Sequence, residues 1–204
     1  GAVASAKVGS TRSVEDSRGW LRLRRRVFRV KGMFSHTVER SEDFSRILGE
    51  SKRIRGYRFA SKKYSNLRVE GVSFEQCSFS RGSFDSVVFS ECNFILCFFD
   101  FVSFKNVRFE MCEVRHSTFA SSHIDTCSFG GSELPICNFN GVEVWKSSFA
   151  DTDLEDSRFI NARLHDSSFE NANCTRTFFQ FAVREDVSFK YTNVEDAFID
   201  TGHF

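Results

Sequence analysis

Apolar residues recur along most of this chain at every fifth position, a spacing that neither a helix nor a strand produces. Counting in fives from Tyr64 to Phe204 gives 29 positions in one register; 17 are Phe, and Arg184 alone is plainly not apolar. No insertion or deletion interrupts the count. A second series sits two residues earlier, and from Val72 to Gly202 all 27 of its positions hold Val, Cys, Ser, Thr, Ala or Gly. Large and small residues locked together in this way predict a chain that turns a corner once per five residues. The large side chain fills an axis, and the small one sits beside it where backbone crowds. Such coils cannot bury their apolar side alone, so they stack, each touching mainly its neighbours.

Stretches such as Ala-Asp-Thr-Asp-Leu at 150–154 and Val-Ser-Phe-Glu-Gln at 72–76 carry a small, polar, large-apolar signature. In this the chain resembles the pentapeptide-repeat family over about residues 57–204. The resemblance implies an all-β fold, a right-handed quadrilateral β-helix with four five-residue units per coil. About seven such coils stand ~35 Å tall at a strand spacing of ~4.8 Å. It also implies vertical columns of residues 20 apart, so that Phe79, Phe99, Phe119, Phe139, Phe159 and Phe179 form a ladder of rings.

Residues 1–56 lie outside the repeat and read as a basic extension with a capping element. The first 14 are rich in Ala, Ser, Val and Gly and lack acid. That is the composition of a cloning remnant or of a processed organelle-targeting sequence, the plastid type included. Trp20–Val30 alternates Leu21 and Leu23 with Arg22 and Arg24, as an exposed strand does, and Arg25, Arg26 and Arg29 complete a basic patch. Residues 37–48 read as a short helix, with Thr37 and Ser41 as alternative starts and Gly49 as its stop. Phe44, Ile47 and Leu48 share one face. A solenoid needs its open end covered, so this helix and its flanks are expected to cap the N-terminal mouth.

Composition adds little to the fold and much to the function. The chain has 204 residues, with 26 Phe against 2 Trp and 3 Tyr. No apolar run approaches the ~18 residues of a membrane span, and no secretory segment opens the chain. The expectation is a soluble intracellular or organellar protein. Cys77, Cys92, Cys97, Cys112, Cys127 and Cys137 occupy the small inward position and Cys174 the large one, so all seven are expected to be buried, reduced and structural. Cys-x-x-Cys pairs and metal-ligand spacings are missing, and His116, His123, His165 and His203 fall at outward positions. No long insertion frames a cleft, and no phosphate loop or nucleophile elbow occurs. The reading is of a protein that is no enzyme and takes no cofactor or metal.

The net charge of +1 conceals a division. Residues 1–60 hold 15 Lys and Arg against 6 Asp and Glu, whereas residues 61–204 hold 13 against 21. The resemblance brings with it a branch of quinolone-resistance, topoisomerase-binding proteins that imitate duplex DNA. An acidic rod suits that role, but its charge falls well below one per ~1.7 Å of axis. The leading expectation is a non-catalytic scaffold or adaptor subunit that binds protein, with a DNA-mimicking regulator of a topoisomerase-like protein as the alternative. Direct nucleic-acid binding is not expected, and the basic arm leaves room for peripheral membrane contact.

Two matching motifs depart from the repeat: Phe98-Phe99-Asp100-Phe101 and Phe178-Phe179-Gln180-Phe181, 80 residues apart. Phe98, Phe101, Phe178 and Phe181 are expected to point outward on one face, and Ile95 and Leu96 extend the first group. With Phe204, which stands in register, they form the candidate protein-binding residues, Phe204 serving a homodimer through the C-terminal coil as the family's C-terminal coils do. Arg184, the lone charge at an inward position, is expected to distort the coil locally and reach solvent or Asp186.

Overall fold

A left-handed backbone residue at every fifth position turns this chain into a coil. From Gly56 to Tyr191 every such position has positive φ, at 24 non-glycine residues and four glycines, with values between 47° and 71°. The two residues before each corner are extended, so the chain runs straight, turns and runs straight again. The computed structural model describes residues 34–38 and 42–200, and within them the chain winds as a parallel β-solenoid of about seven coils with little helix.

Residues 20 apart pair in parallel on all four sides. The longest ladder has seven strands, from Lys63–Ser65 to Val183–Glu185, with pairs such as Phe104↔Ile124. A second ladder begins at Arg68–Glu70, and a third begins at Arg53–Arg55, which pairs with Ser73–Glu75. Ile54 and Phe59 are buried in the same register, so the ladder starts before Tyr64. The fourth side is a run of single bridges from Arg58 through Phe98, Asn138 and Phe178 to Phe198.

The central residue of each unit points inward and its two neighbours outward, as strand alternation requires. Phe79, Phe99, Phe119, Phe139, Phe159 and Phe179 stack at 4.7–5.2 Å between centroids, within 14° of parallel. On the opposite side Phe89, Phe109, Phe129, Phe149 and Phe169 stack at 4.6–5.1 Å, within 26° of parallel. The two ladders meet edge to face, as Phe119 meets Phe129 at 6.2 Å and 87°. Stacked and T-shaped pairs are the two arrangements the ring quadrupole favours. The remaining two sides of the upper coils carry aliphatic residues such as Val144 and Leu134, which fill the space between the ladders.

The small inward position is chosen by hydrogen bonding as much as by size. The Ser157 hydroxyl donates to the Leu134 carbonyl at 2.6 Å and accepts from the Cys137 amide at 2.8 Å. Ser117 and Ser132, eight and five units earlier, repeat this pattern, each joining consecutive coils. Thiols serve in the same place, as Cys137 Sγ donates to the Val114 carbonyl at 3.2 Å. Val102, Val107 and Val142 fill the position by volume alone.

At the N-terminal mouth, His36–Thr37 adds a short parallel strand to Tyr57–Arg58, and helix α1 (Glu42–Glu50) follows. Phe44 of α1 is fully buried against Phe59, Tyr64, Phe74 and Phe79, which plugs the open end. Three local expectations are corrected. Thr37 belongs to the strand and does not start a helix, because its backbone pairs with the first coil. The helix starts later than residue 37, and it runs through Gly49 to Glu50, where the Arg46–Glu50 ion pair at 2.8 Å supports its last turn. Arg184 leaves the ladder undistorted, since it pairs in register with Leu164. Its half-buried guanidinium is held below the usual arginine range by burial, and the carboxylate that offsets this is Asp200, not Asp186.

Phe119→Ala removes a ring stacked on both sides in a fully buried site, and it is expected to lower unfolding free energy by ~3–5 kcal/mol in urea titration. Ser157→Ala leaves an amide and a carbonyl without their side-chain partner and should cost ~1–3 kcal/mol. Ser157→Cys, which restores both contacts, should recover most of that loss.

Candidate functional site

Each corner residue stands at the outer rim of the coil, two places after the buried ring. Asn, Asp and Gly tolerate the left-handed region best, and Asn66, Asn106, Asp151, Asn161, Asp166 and Gly141 fit that rule. Six corners break it with large apolar residues: Leu96, Phe101, Met111, Ile136, Phe181 and Tyr191. All six are exposed, Phe101 by 57%, Phe181 by 70% and Ile136 by 50%. They carry backbone strain of ~1–2 kcal/mol each without burial in return. Strain retained without a packing return is a mark of an interaction surface.

The two Phe motifs lie on one flat side, the ladder of single bridges. Phe98 and Phe178 stand in one column, and Phe101 and Phe181 in the adjoining corner column. Phe98 is half-buried, with Phe34 edge-on to it at 6.0 Å. Phe178 is half-buried and stacked on Phe198 at 4.5 Å, and the Arg158 guanidinium lies 5.6 Å from its ring centroid. The Arg81 guanidinium covers part of Phe101 at 5.2 Å. Ile95 is half-buried on the adjoining side, and Leu96 stands on the corner between. His116 and Ile136 continue the Leu96 column over the next two coils. Phe204 and the basic patch Arg22, Arg24, Arg25, Arg26 and Arg29 lie outside the described residues.

Sequence reasoning missed Met111, Ile136, Tyr191 and Phe198. The signal for the first three was present, because each lies two places after a central residue, where Asn, Asp or Gly is expected. On the side that carries the longest ladder, Trp145 stacks on His165 at 4.0 Å, and His165 Nδ1 lies 3.1 Å from Glu185. This places His165 outward yet largely covered. His116 and His123 also point outward.

The outward carboxylates are interleaved with arginines. Arg176 forms a two-pronged pair with Asp156 at 2.8 Å and reaches Glu155 at 2.5 Å, which holds the Asp156 carboxyl below its usual range. Arg115 bridges Glu113 and Glu133, and Arg163 meets Glu143. Among the described residues no three His, Cys, Asp or Glu side chains are placed to hold a metal. No helix among them is long and apolar enough to cross a membrane.

All seven cysteines are free and buried. Burial pushes Cys127, Cys137 and Cys174 up to about 12, and it holds Cys97 well above the ordinary thiol value. Nucleophilic chemistry needs the thiolate, so Cys97, Cys127, Cys137 and Cys174 hold their protons in the native coil and are poor nucleophiles.

This arrangement defines a β-solenoid built of five-residue units with an unbroken register. A family model for pentapeptide repeats matches residues 137–173 with eight copies, so the chain carries pentapeptide repeats. No curated protein matches the chain. Among solved structures it is similar to the pentapeptide-repeat protein Rfr23 of the cyanobacterium Cyanothece 51142, at 16% identity and a TM-score of 0.43. That likeness covers 46% of this chain and 64% of Rfr23, less than two thirds of the latter. It is also similar to HetL of Nostoc sp. strain PCC 7120, a pentapeptide-repeat protein involved in heterocyst differentiation regulation. There the identity is 9%, the TM-score 0.42, and the coverage 82% of this chain and 100% of HetL. QnrB1, a plasmid-mediated fluoroquinolone resistance protein, matches at 14% identity and a TM-score of 0.35, over 81% of this chain and 87% of its own.

Two predictions follow from the corners and the thiols. Ile136→Asn places a residue suited to the left-handed region at a strained β-branched site, and it should raise stability by ~1 kcal/mol, seen as a higher midpoint in thermal unfolding. For the thiols, an unfolded cysteine ionises near ~8.5 while the buried ones hold their protons to about 12. The folded pKa is raised, so stability is complete below the unfolded value and is lost as pH climbs towards 12. A guanidinium titration series should show falling stability between those limits, by up to ~1.4 kcal/mol per thiol per pH unit.

Proposed function

We propose that this chain is a non-catalytic scaffold that presents rigid, regularly spaced side chains to a partner protein. The observation that carries the reading is the set of exposed apolar residues on strained left-handed corners. Coils fixed by backbone ladders and stacked rings hold those residues at constant spacing, so a partner meets a preorganised surface and little ordering cost. Met111 and Tyr191 share one corner column, diagonally across the coil from Phe101 and Phe181, which gives the scaffold a second surface.

The alternative, a DNA-mimicking regulator of a topoisomerase-like protein, draws on the acidic composition of residues 61–204. The pairing of Arg115, Arg163 and Arg176 with neighbouring carboxylates breaks up the continuous negative field that such mimicry needs.

Native extract passed over the immobilised full chain tests the scaffold reading. One protein is expected to be retained by the wild type and lost from Met111→Asn/Tyr191→Asn, a variant that keeps the fold. Equal retention by both would count against these corners as the docking surface. In a gyrase supercoiling assay, no inhibition is expected; dose-dependent inhibition would favour the alternative.

A further inference from the structure

The side of the solenoid that bears both Phe motifs has a symmetry of its own. Consider a two-fold axis lying in that side, across the stack, at the coil of Asn138 and Gly141. Turning a second copy about it sets each outward residue against the residue of the same column that lies equally far beyond the axis. Phe98, with Phe34 edge-on to it, then lies opposite Phe178 of the second copy, and Phe101 lies opposite its Phe181. Between them Ala120 faces Ile160, and Ser121 faces Asn161. His116 faces Asp156, a potential cation against a carboxylate. At the axis Ile136, Asn138, Asn140 and Gly141 each meet their own counterpart, and Gly141 lets the corners approach. Asp100 faces Gln180, Thr118 faces Arg158, and Leu96 faces Arg176. No charged residue is set against a like charge. Each position is fixed by the 20-residue register and the bridges from Ser78 to Phe198.

We infer that this side is the self-complementary interface of an antiparallel homodimer. Duplication of four coils would account for the two motifs, but not for the matched pairs between them. A foreign partner would place no such condition on one chain, whereas a two-fold interface requires it. The exposed rings of Phe101 and Phe181 along one corner, and the side chain of Ile136 at the other, become covered at its two edges. Six coil steps from Ser78 to Phe198 give a height of ~29 Å, and five residues across give ~16 Å. The footprint is roughly 450 Å² per copy, at the small end for specific association, so a micromolar dimer is expected. This inference goes beyond the scaffold reading and leaves the Met111 and Tyr191 corner free for a partner.

Sedimentation velocity of the full chain across a concentration series to about 200 µM tests it. The expected result is a monomer–dimer equilibrium that Phe101→Asp/Phe181→Asp weakens at least ~100-fold. Asp suits left-handed corners, so the variant should melt no lower than the wild type and its loss of dimer cannot be laid to misfolding. Asn138→Cys lies on the axis and should form a disulfide-linked dimer under mild oxidant, while Ser148→Cys on the opposite side should not. A chain that stays monomeric throughout, an unchanged dissociation constant in the double variant, or cross-linking no faster at 138 than at 148 would each overturn the inference.

Discussion

The left-handed residue at every fifth position is the constraint on which this molecule depends. It forces a corner after each short extended run, and four corners close a coil. Closing the coil brings residue n beneath residue n+20, which is why backbone pairing, ring stacking and hydroxyl bridging all share one period. An L-residue does not adopt that conformation for its own sake. The buried Phe ladders and the inter-coil hydrogen bonds offset its cost, and they exist only because the corners align the coils. Local strain and global order are therefore two sides of one arrangement.

The same economy explains the interior. Four rings fill the coil of Phe84, Phe89, Phe94 and Phe99, whereas the coils from Ile124 to Phe159 keep two Phe and two aliphatic residues each. Opposed ladders meet edge to face and leave little room for a bound molecule. The small inward residue ties its coil to the one before it by bonding to a carbonyl and an amide of that preceding coil. Ser, Thr and Cys side chains all donate to such carbonyls, which gives the buried thiols a place in the ladder.

The outer rim differs from the interior in what it presents. The flanking positions carry arginines and carboxylates that pair with one another along and between coils, and such exposed pairs add little stability. Large apolar residues at the rim are different in kind, because they combine strain with exposure. Their placement on a rigid frame, at multiples of one coil height, makes them legible as a surface and gives the Phe-bearing side its two-fold match.

The chain's own order of residues determined the period, the two inward series, the columns of rings and the capping role of Phe44, since all of these follow from side-chain size at a fixed spacing. It also held the clue to the rim, as Ile136, Met111 and Tyr191 stand where Asn, Asp or Gly is expected. Arg184 shows the limit of that reading: a charge at an inward position suggested a broken coil, yet the backbone ladder to Leu164 held and Asp200 supplied the charge. Only the tertiary structure decided where the capping helix begins, because Thr37 is claimed by a strand partner distant in sequence. It alone showed that Phe98 is partly covered by Phe34 while Phe181 is bare, since cover depends on what lies across space from a residue and not on what adjoins it in the chain.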